Sequence, residues 1–376
     1  MMVFITIPWF SPAFKAGGPI QSIANMVNGF TENIEYRIFC GDSDLNDEPL
    51  QNIKKGEWVD YNAHTKVWYA PIKRRRQNLI QLVKSLNPNA IFIVGLYDWY
   101  FNIVPMLFCK ADKKIISVRG MLHPGALTQK QNKKRFFLSA LKMFNINRKN
   151  IFHATDETES QFVLNEFGVK SNVVVAGNFS KSFEAQFPLP KQKGTLSICT
   201  IALVSPMKNH LLILEALSHC QNKIMYNIYG PIKDDLYWQE CKKIIARLPD
   251  NIDVHYHGEI KPAGVQEILR QHHLFIMPSK SENFGHSIAE ALSAGRPVIT
   301  SHNTPWNNLE SNIAGLNTEL NKESLLKGIL FFVDLNKLDY GAFVLGAKKY
   351  SIKYNNTPEI MLAYKKMFFE GVTDGH

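Results

Sequence analysis

Residues 278–300 read PSKSENFGHSIAEALSAGRPVIT, and the order of residue types in this stretch decides the fold. The apolar run Leu274-Phe275-Ile276-Met277 precedes it as a strand and stops at Pro278-Ser279. A glycine-bearing loop follows, then a helical pattern, then Gly295-Arg296-Pro297 and a second strand, Val298-Ile299-Thr300. This is a βαβ unit, the building block of parallel sheets. Two acids, Glu282 and Glu290, stand eight positions apart. On a single helix, eight steps would leave them about 80° apart. With Glu282 on the loop and Glu290 one to two turns into the helix, both can face one ligand that crosses the helix N-terminus. Backbone N–H groups there attract anions, phosphate above all. The arrangement suits a sugar diphosphate, with hydroxyls on the acids and phosphates on the amides. An ordinary βαβ unit could hold one acid near an N-cap and one in solvent. It would not bring loop, helix, glycine, proline and strand into this register.

The same alternation runs through all 376 residues. Strands are expected near 2–8, 34–40, 66–70, 90–94, 114–118, 151–154 and 172–175, with helices near 19–30, 76–86, 98–110, 127–145 and 156–167. Lys181–Gly194, with Pro188, Pro190 and three lysines, reads as a linker. A second series follows, with strands near 196–203, 224–229, 253–257, 274–277 and 298–301. Its helices fall near 208–219, 234–247, 262–271 and 285–294, and helices near 322–333 and 357–370 close the chain. Such length is natural for two α/β domains. The expected division is 1–185 as an N-terminal Rossmann-like acceptor domain, 186–355 as a C-terminal Rossmann-like donor domain, and 356–376 as a final helix. Doubly wound domains of this kind hold ligands at the carboxyl ends of their strands.

The motif at 278–300 resembles the donor-binding signature of the retaining glycosyltransferases of family 4, which have the GT-B fold. Their pattern is two glutamates separated by seven residues, with a Gly-Phe-Gly-like loop after the first. Glu282, Asn283-Phe284-Gly285-His286 and Glu290 match it, as does the ending Ala294-Gly295-x-Pro297-Val298. The resemblance implies an α/β protein of GT-B type, with two Rossmann-like domains facing a cleft and a C-terminal helix crossing back to the N-terminal domain. It implies a nucleotide-diphosphate sugar as donor, UDP- or GDP-linked. Glu290 is then expected on the ribose hydroxyls, Glu282 on the sugar hydroxyls, and the amides of Phe284, Gly285, His286 and Ser287 on sugar and phosphate. No metal or other cofactor is expected.

Three further segments carry the resemblance. The first βα turn, Pro8 to Pro19, contains Gly17-Gly18 and opens a helix at Pro19. It resembles the family's Gly-Gly loop, which faces the donor diphosphate and the acceptor. Val204-Ser205-Pro206-Met207-Lys208 matches the segment that supplies a phosphate-binding lysine, with Lys208 in place. The family's usual Gly-Arg is replaced by Ala202-Leu203. Losing that cation removes a charge-assisted contact typically worth about 1.5–3 kcal/mol. Arg119 is the expected substitute. It lies in Val118-Arg119-Gly120-Met121-Leu122, which looks like the Arg-Gly-Met-Leu variant of a bacterial surface-polysaccharide branch. Many relatives have His-Gly here, so the location carries over and the histidine's role does not. Phe152-His153-Ala154-Thr155-x-x-x-Glu159 resembles that branch too, and His153 at a strand end reads as structural. Gly230-Pro231 and Gly258 resemble loops that line the nucleotide-base pocket. Asp42-Ser43-Asp44 imitates the metal site of the other large transferase fold, but reads as a solvated turn.

Composition narrows the setting. No apolar run reaches the roughly 18 residues of a spanning helix, and the chain enters directly as a strand, so a cytoplasmic protein is expected, at the inner face of the cytoplasmic membrane. Five scattered cysteines without a CxxC pair predict buried thiols. The net charge of +10 is concentrated in the N-terminal half, in Lys73-Arg74-Arg75-Arg76 and in Lys130 to Arg135. The second cluster leads into an apolar stripe, Phe137, Ala140, Leu141 and Phe144. Such a helix can lie on an anionic membrane or face a core with its cations in water. Nucleic acid is not an expected partner, because stacking aromatics are not interleaved with the cations. The expected acceptor is a saccharide, lipid-linked, in surface-polysaccharide assembly. Two rivals remain: a sugar-nucleotide epimerase on the same fold, which needs no acceptor, and a catalytically degenerate transferase acting as a binding partner.

Overall fold

The computed structural model describes residues 1–127, 131–183, 190–354 and 357–370. The chain forms two compact units: Met1–Phe179 with the segment from Thr357, and Ser180–Asn356. The boundaries expected at 185 and 355 fall outside the described residues, as does Pro188 of the expected linker. The division lies instead at Phe179–Ser180, for a packing reason. Phe179 stacks at 6.4 Å on Phe30 and lies 5.1 Å from Tyr364, in the first unit. Phe183 belongs to the core of the second, where its N–H donates to Ser293 Oγ at 3.3 Å. The far end of the linker is anchored as well. Lys191 is buried, and its ammonium donates to the carbonyls of Val333 and Leu335 at the end of the helix Lys322–Asp334.

The first unit holds an eight-stranded sheet. Its strands are β1 (Met2–Thr6), β2 (Glu35–Gly41), β3 (Trp58–Asn62), β4 (Thr65–Ala70), β5 (Ala90–Val94), β6 (Lys113–Ser117), β7 (Ile151–Ala154) and β8 (Asn172–Val175). The order is β3-β4-β2-β1-β5-β6-β7-β8, parallel except for β3, which runs antiparallel to β4. Side chains alternate across the sheet. Val3 and Ile5 enter one core with the helices Gly18–Gly29 and Thr357–Phe369. Phe4 enters the opposite core, with Arg75–Leu86, Val104–Phe108, Gln131–Met143 and Glu157–Phe167. The last helix thus returns to the first unit, burying Tyr364, Met367 and Phe368.

The second unit holds a six-stranded parallel sheet: β9 (Thr195–Ile201), β10 (Lys223–Tyr229), β11 (Ile252–Tyr256), β12 (Leu274–Met277), β13 (Val298–Ser301) and β14 (Gly315–Thr318), in the order β11-β10-β9-β12-β13-β14. One face carries His210–Leu217, Asp235–Ile245 and Lys322–Asp334; the other carries Val265–Arg270, His286–Ser293 and Lys337–Tyr354. Both sheets are covered on both sides, as parallel sheets require. Among the elements absent from the sequence reading are β3, β14 and the helix Lys337–Tyr354. The strands are short, with no run of fully buried apolar residues. The helix buries Tyr340, Ala347 and Tyr350 but exposes Leu338, Leu345 and Ile352, so no single apolar face marks it. No helix among the described residues is long and apolar enough to cross a membrane.

Tyr364 ties the returning helix to its sheet, lying among Phe30, Phe179, Phe368 and His153 with only 1% of its surface exposed. Tyr364→Ala should destabilise the chain by about 3–5 kcal/mol, read from denaturant unfolding. A loss below about 1 kcal/mol would show that the helix adds little to this core.

Candidate functional site

The order of the second sheet locates the site before any side chain is considered. The chain runs outward from β9 to β10 and β11, then returns to β12 on the other side of β9 and continues outward to β13 and β14. The carboxyl ends of β9 and β12 therefore flank the topological switch point, where open α/β sheets hold ligands. β9 leads into the turn that bears Lys208, and β12 into the loop that bears Glu282. Backbone bonds fasten the loop on both sides: Lys280 N–H donates to Met207 O at 2.9 Å, and Glu282 N–H to Asn303 O at 3.2 Å. Across the switch point the Lys208 ammonium pairs with the Glu282 carboxylate.

Gly285 starts the following helix from the left-handed region, at φ 78°. A Cβ at that position would be strained and would press on Ile288 at 3.1 Å, so the glycine is a backbone requirement. The half-buried Phe284 is locked into the wall. Its carbonyl accepts from the Trp306 indole, and its ring lies edge-on to His286 at 4.7 Å and to Trp306 at 5.4 Å. Ser287 turns its hydroxyl to Met277 Sδ at 3.7 Å. These side chains shape the loop, and what the first turn of His286–Ser293 offers a ligand is backbone N–H groups, with Asn283 half-buried just ahead of them. Glu290 lies on the second turn and is buried. Burial raises it to about 7, and Lys181 opposes the shift.

Sequence reasoning missed His210, the first residue of the helix after Lys208. Its ring is fully buried, and neither nitrogen has a hydrogen-bond partner among the described residues. Burial, aided by the Lys208 charge, lowers it to about 3, so it stays neutral. The fixing residues Trp306, Asn303 and Lys181 were missed too. Lys181 lies far from the motif in sequence, while Asn303 and Trp306 follow just past its end and carry no local mark of the contacts that folding gives them. Ala202, where the family pattern has Gly, packs against the next loop. A Cβ on Gly230 would stand 2.0 Å from the Ala202 carbonyl oxygen. Leu203 is half-buried.

The first sheet has its own switch point, between β1 and β5. The loop after β1 ends at Gly17, at φ 73°, with Gly18 and Pro19 opening the helix. Asp44 shapes this loop, accepting from Phe14 N–H at 2.9 Å and Lys15 N–H at 3.2 Å while itself buried. The solvated turn expected at Asp42-Ser43-Asp44 is therefore corrected. The first acid pairs with Lys55 and Arg75, and the second is a buried clamp whose amide partners satisfy its charge. Arg119 also belongs to this unit. Its guanidinium donates to Asn178 Oδ1, and its charge acts on the buried Tyr364 hydroxyl. His153 is fully buried between Ser117 Oγ and the Ala176 carbonyl, each at 2.8 Å. A carbonyl only accepts, so Nε2 carries the proton and Nδ1 accepts from Ser117. Burial lowers this ring to about 3, with Arg119 adding to the shift. Lys208, Glu282, residues 283–287 and Glu290 thus share one unit, while Gly17, Gly18 and Arg119 lie in the other.

Residues 181–337 match the family model described as glycosyl transferases group 1. The second unit therefore carries a glycosyltransferase domain, and the enzyme class is a transferase, EC 2.4. No curated protein matches the chain by sequence. Among solved structures it is similar to a mutant of TarM from S. aureus, in complex with fondaparinux, alpha-GlcNAc-glycerol and UDP. That pair is 14% identical, covers 98% of this chain and 99% of the other, and has a TM-score of 0.71. HepE of Anabaena, in complex with UDP-glucose, is 13% identical over 98% of this chain and 99% of its own, with a TM-score of 0.70. WaaG, a glycosyltransferase involved in lipopolysaccharide biosynthesis, is 11% identical over 99% and 100%, with a TM-score of 0.69. At such identities the likeness establishes the fold, which is GT-B, as expected.

Glu290 sets a pH dependence of stability. Its carboxyl rises from the ordinary 4.5 to about 7, so between these values the folded chain binds the proton more tightly than the unfolded one. Stability should then fall as pH rises from 4.5 through about 7, by up to about 3 kcal/mol. Glu290→Gln should flatten this part of a Tm–pH curve and melt above wild type at pH 8. Superimposable curves would place the carboxyl in water.

Proposed function

We propose that the chain is a metal-independent, retaining glycosyltransferase that moves a sugar from a UDP- or GDP-sugar to a saccharide acceptor. The observation that carries this reading is the Lys208–Glu282 pair at the switch point, beside a helix N-terminus opened by Gly285. In a donor complex the pair would part. Lys208 and the first-turn amides would take the diphosphate, Glu282 the sugar hydroxyls, and Glu290 the ribose hydroxyls. Glu290 lies where the charged form is costly, so hydroxyl donors would stabilise its carboxylate.

Breaking the anomeric C–O bond leaves charge on the diphosphate and an oxocarbenium-like sugar, and fixed positive groups stabilise the former. The acceptor oxygen then bonds to the anomeric carbon on the face the phosphate leaves, and its proton passes to a phosphate oxygen. Leu203 withdraws one cation from this scheme, which puts more of the load on Lys208 and the helix N-terminus. Arg119, the expected substitute, donates to Asn178 through one nitrogen, while its Nε and Nη2 make no hydrogen bond among the described residues. The UDP-glucose bound by HepE and the UDP bound by TarM support a nucleotide-sugar donor, and the role of WaaG supports surface-polysaccharide assembly: lipopolysaccharide, O-antigen or capsule. The acceptor is then lipid-linked, and the enzyme works as a peripheral protein at the inner face of the cytoplasmic membrane.

A thermal-shift panel of nucleotide diphosphates and nucleotide sugars, with and without EDTA, tests the donor site. One nucleotide should raise Tm, equally in EDTA, and Glu290→Ala should abolish the rise. Glu282→Ala should lower turnover by a factor on the order of 100 or more with Tm near wild type. No rise with any nucleotide would overturn the reading and favour a degenerate transferase.

A further inference from the structure

The helix Gln131–Met143 needs only one of its faces for the core. Leu138 and Leu141 are buried there, and Phe137 packs 5.3 Å from the Tyr97 ring. This settles the inward stripe as a packing stripe, except for Phe144. A second apolar ridge, invisible in the one-stripe sequence reading, points the other way. Phe136 is 80% exposed and Met143, two turns further on, is 76% exposed, with Phe144 extending the ridge past the helix end. Lys133, Arg135 and Lys142 flank it, and Arg148 and Lys149 follow on the next turn; residues 131–149 contain no Asp or Glu. The facing acid from the neighbouring helix is Glu166, which meets Lys142 at 2.7 Å. Lys130, counted in the basic segment, lies outside the described residues. On the same side of the sheet the exposed Phe108 ring sits 4.5 Å below the Arg76 guanidinium.

We propose that this ridge docks on an anionic lipid bilayer, with Phe136, Met143 and Phe144 entering the headgroup–acyl boundary and the flanking cations meeting lipid phosphates. Packing of the helix explains Leu138 and Leu141 but gives no reason for large apolar side chains at the two most exposed turns. Cations alone would serve a polyanion of any kind. An apolar ridge framed by cations, on a segment that itself carries no acid, is complementary to a surface that is apolar below and anionic above. The purpose rests on the lipid-linked acceptor proposed above; the binding itself does not.

Flotation of the full chain with phosphatidylcholine vesicles, with and without phosphatidylglycerol, tests this. Wild type should float with the anionic vesicles and stay behind with the neutral ones. Phe136→Ser with Met143→Ser should weaken binding by about tenfold or more, as removal of inserted apolar area requires. Lys133→Gln with Arg135→Gln should weaken it by a similar factor and reduce its salt dependence. Both pairs are solvent-exposed, and their Tm should match wild type. Absence of flotation at low salt would overturn the proposal, as would equal binding by the ridge variant. So would a dimer in sedimentation that the ridge substitutions abolish. A nucleotide thermal shift on the same variants reports the donor site separately, so either reading can fail without the other.

Discussion

One ion pair, Lys208 with Glu282, joins the turns that leave β9 and β12, 74 residues apart in sequence. Both partners are mostly withdrawn from water, with 19% and 9% of their side chains exposed. A desolvated pair of this kind is weak as a fastener, because the cost of dehydrating two charges roughly offsets their attraction. Nor is it needed as one, since the two turns are already joined through Lys280 N–H and Met207 O. Its significance lies in what each partner can exchange the other for. A phosphate can replace Glu282 on the lysine and sugar hydroxyls can replace Lys208 on the glutamate, so one ligand can satisfy both at once. Such an exchange restores hydrogen bonds at the same two atoms without leaving a charge stranded.

The surroundings of the pair carry the same signature of energy set aside for a ligand. Glu290 holds a carboxyl that burial raises to about 7, and His210 holds an imidazole with no partner on either nitrogen among the described residues. Each buried, unmet polar group costs about 1–3 kcal/mol. Such groups are rare in folded proteins, and perturbed titratable groups gather at functional sites. The two differ in consequence. Glu290 retains slight access and can be met by a ligand. His210 is fully enclosed beside a cation and stays neutral, which keeps a second positive charge from competing with Lys208 for one anion.

Legibility followed the range of the physics involved. Strands buried on both faces are continuous apolar runs, so β5, β7, β12 and β13 could be read from sequence. The left-handed start at Gly285 could be read too, because only glycine sits there without strain. The partners Asn303 and Trp306 could not, since nothing local marks an indole for a carbonyl 22 residues away. Asp44 was misread for the opposite reason. Its neighbours Asp42, Ser43 and Asn46 are turn formers, and that local pattern outweighed the distant amides of Phe14 and Lys15 that draw it inside. The helix Gln131–Met143 was read with one apolar stripe because its two apolar faces merge when projected onto sequence alone.

Arg119 shows where a location outlasts a role. The turn after β6 takes the left-handed region twice, at Arg119 with φ 50° and Gly120 with φ 73°. Its shape is held from outside, by Glu159 accepting from Gly120 N–H and from Thr155 at 2.7 Å. The backbone therefore does not depend on the side chain at 119, and a residue there is free to serve chemistry or architecture. In this chain an arginine stands there. The guanidinium reaches Asn178 and the buried Tyr364 hydroxyl, joining the turn to the end of the unit's first segment and to its returning helix. That cation adds positive potential to the neutral His153, and its Nε and Nη2 make no hydrogen bond among the described residues. Lys208 and the helix that Gly285 begins are both built into the second sheet's switch point.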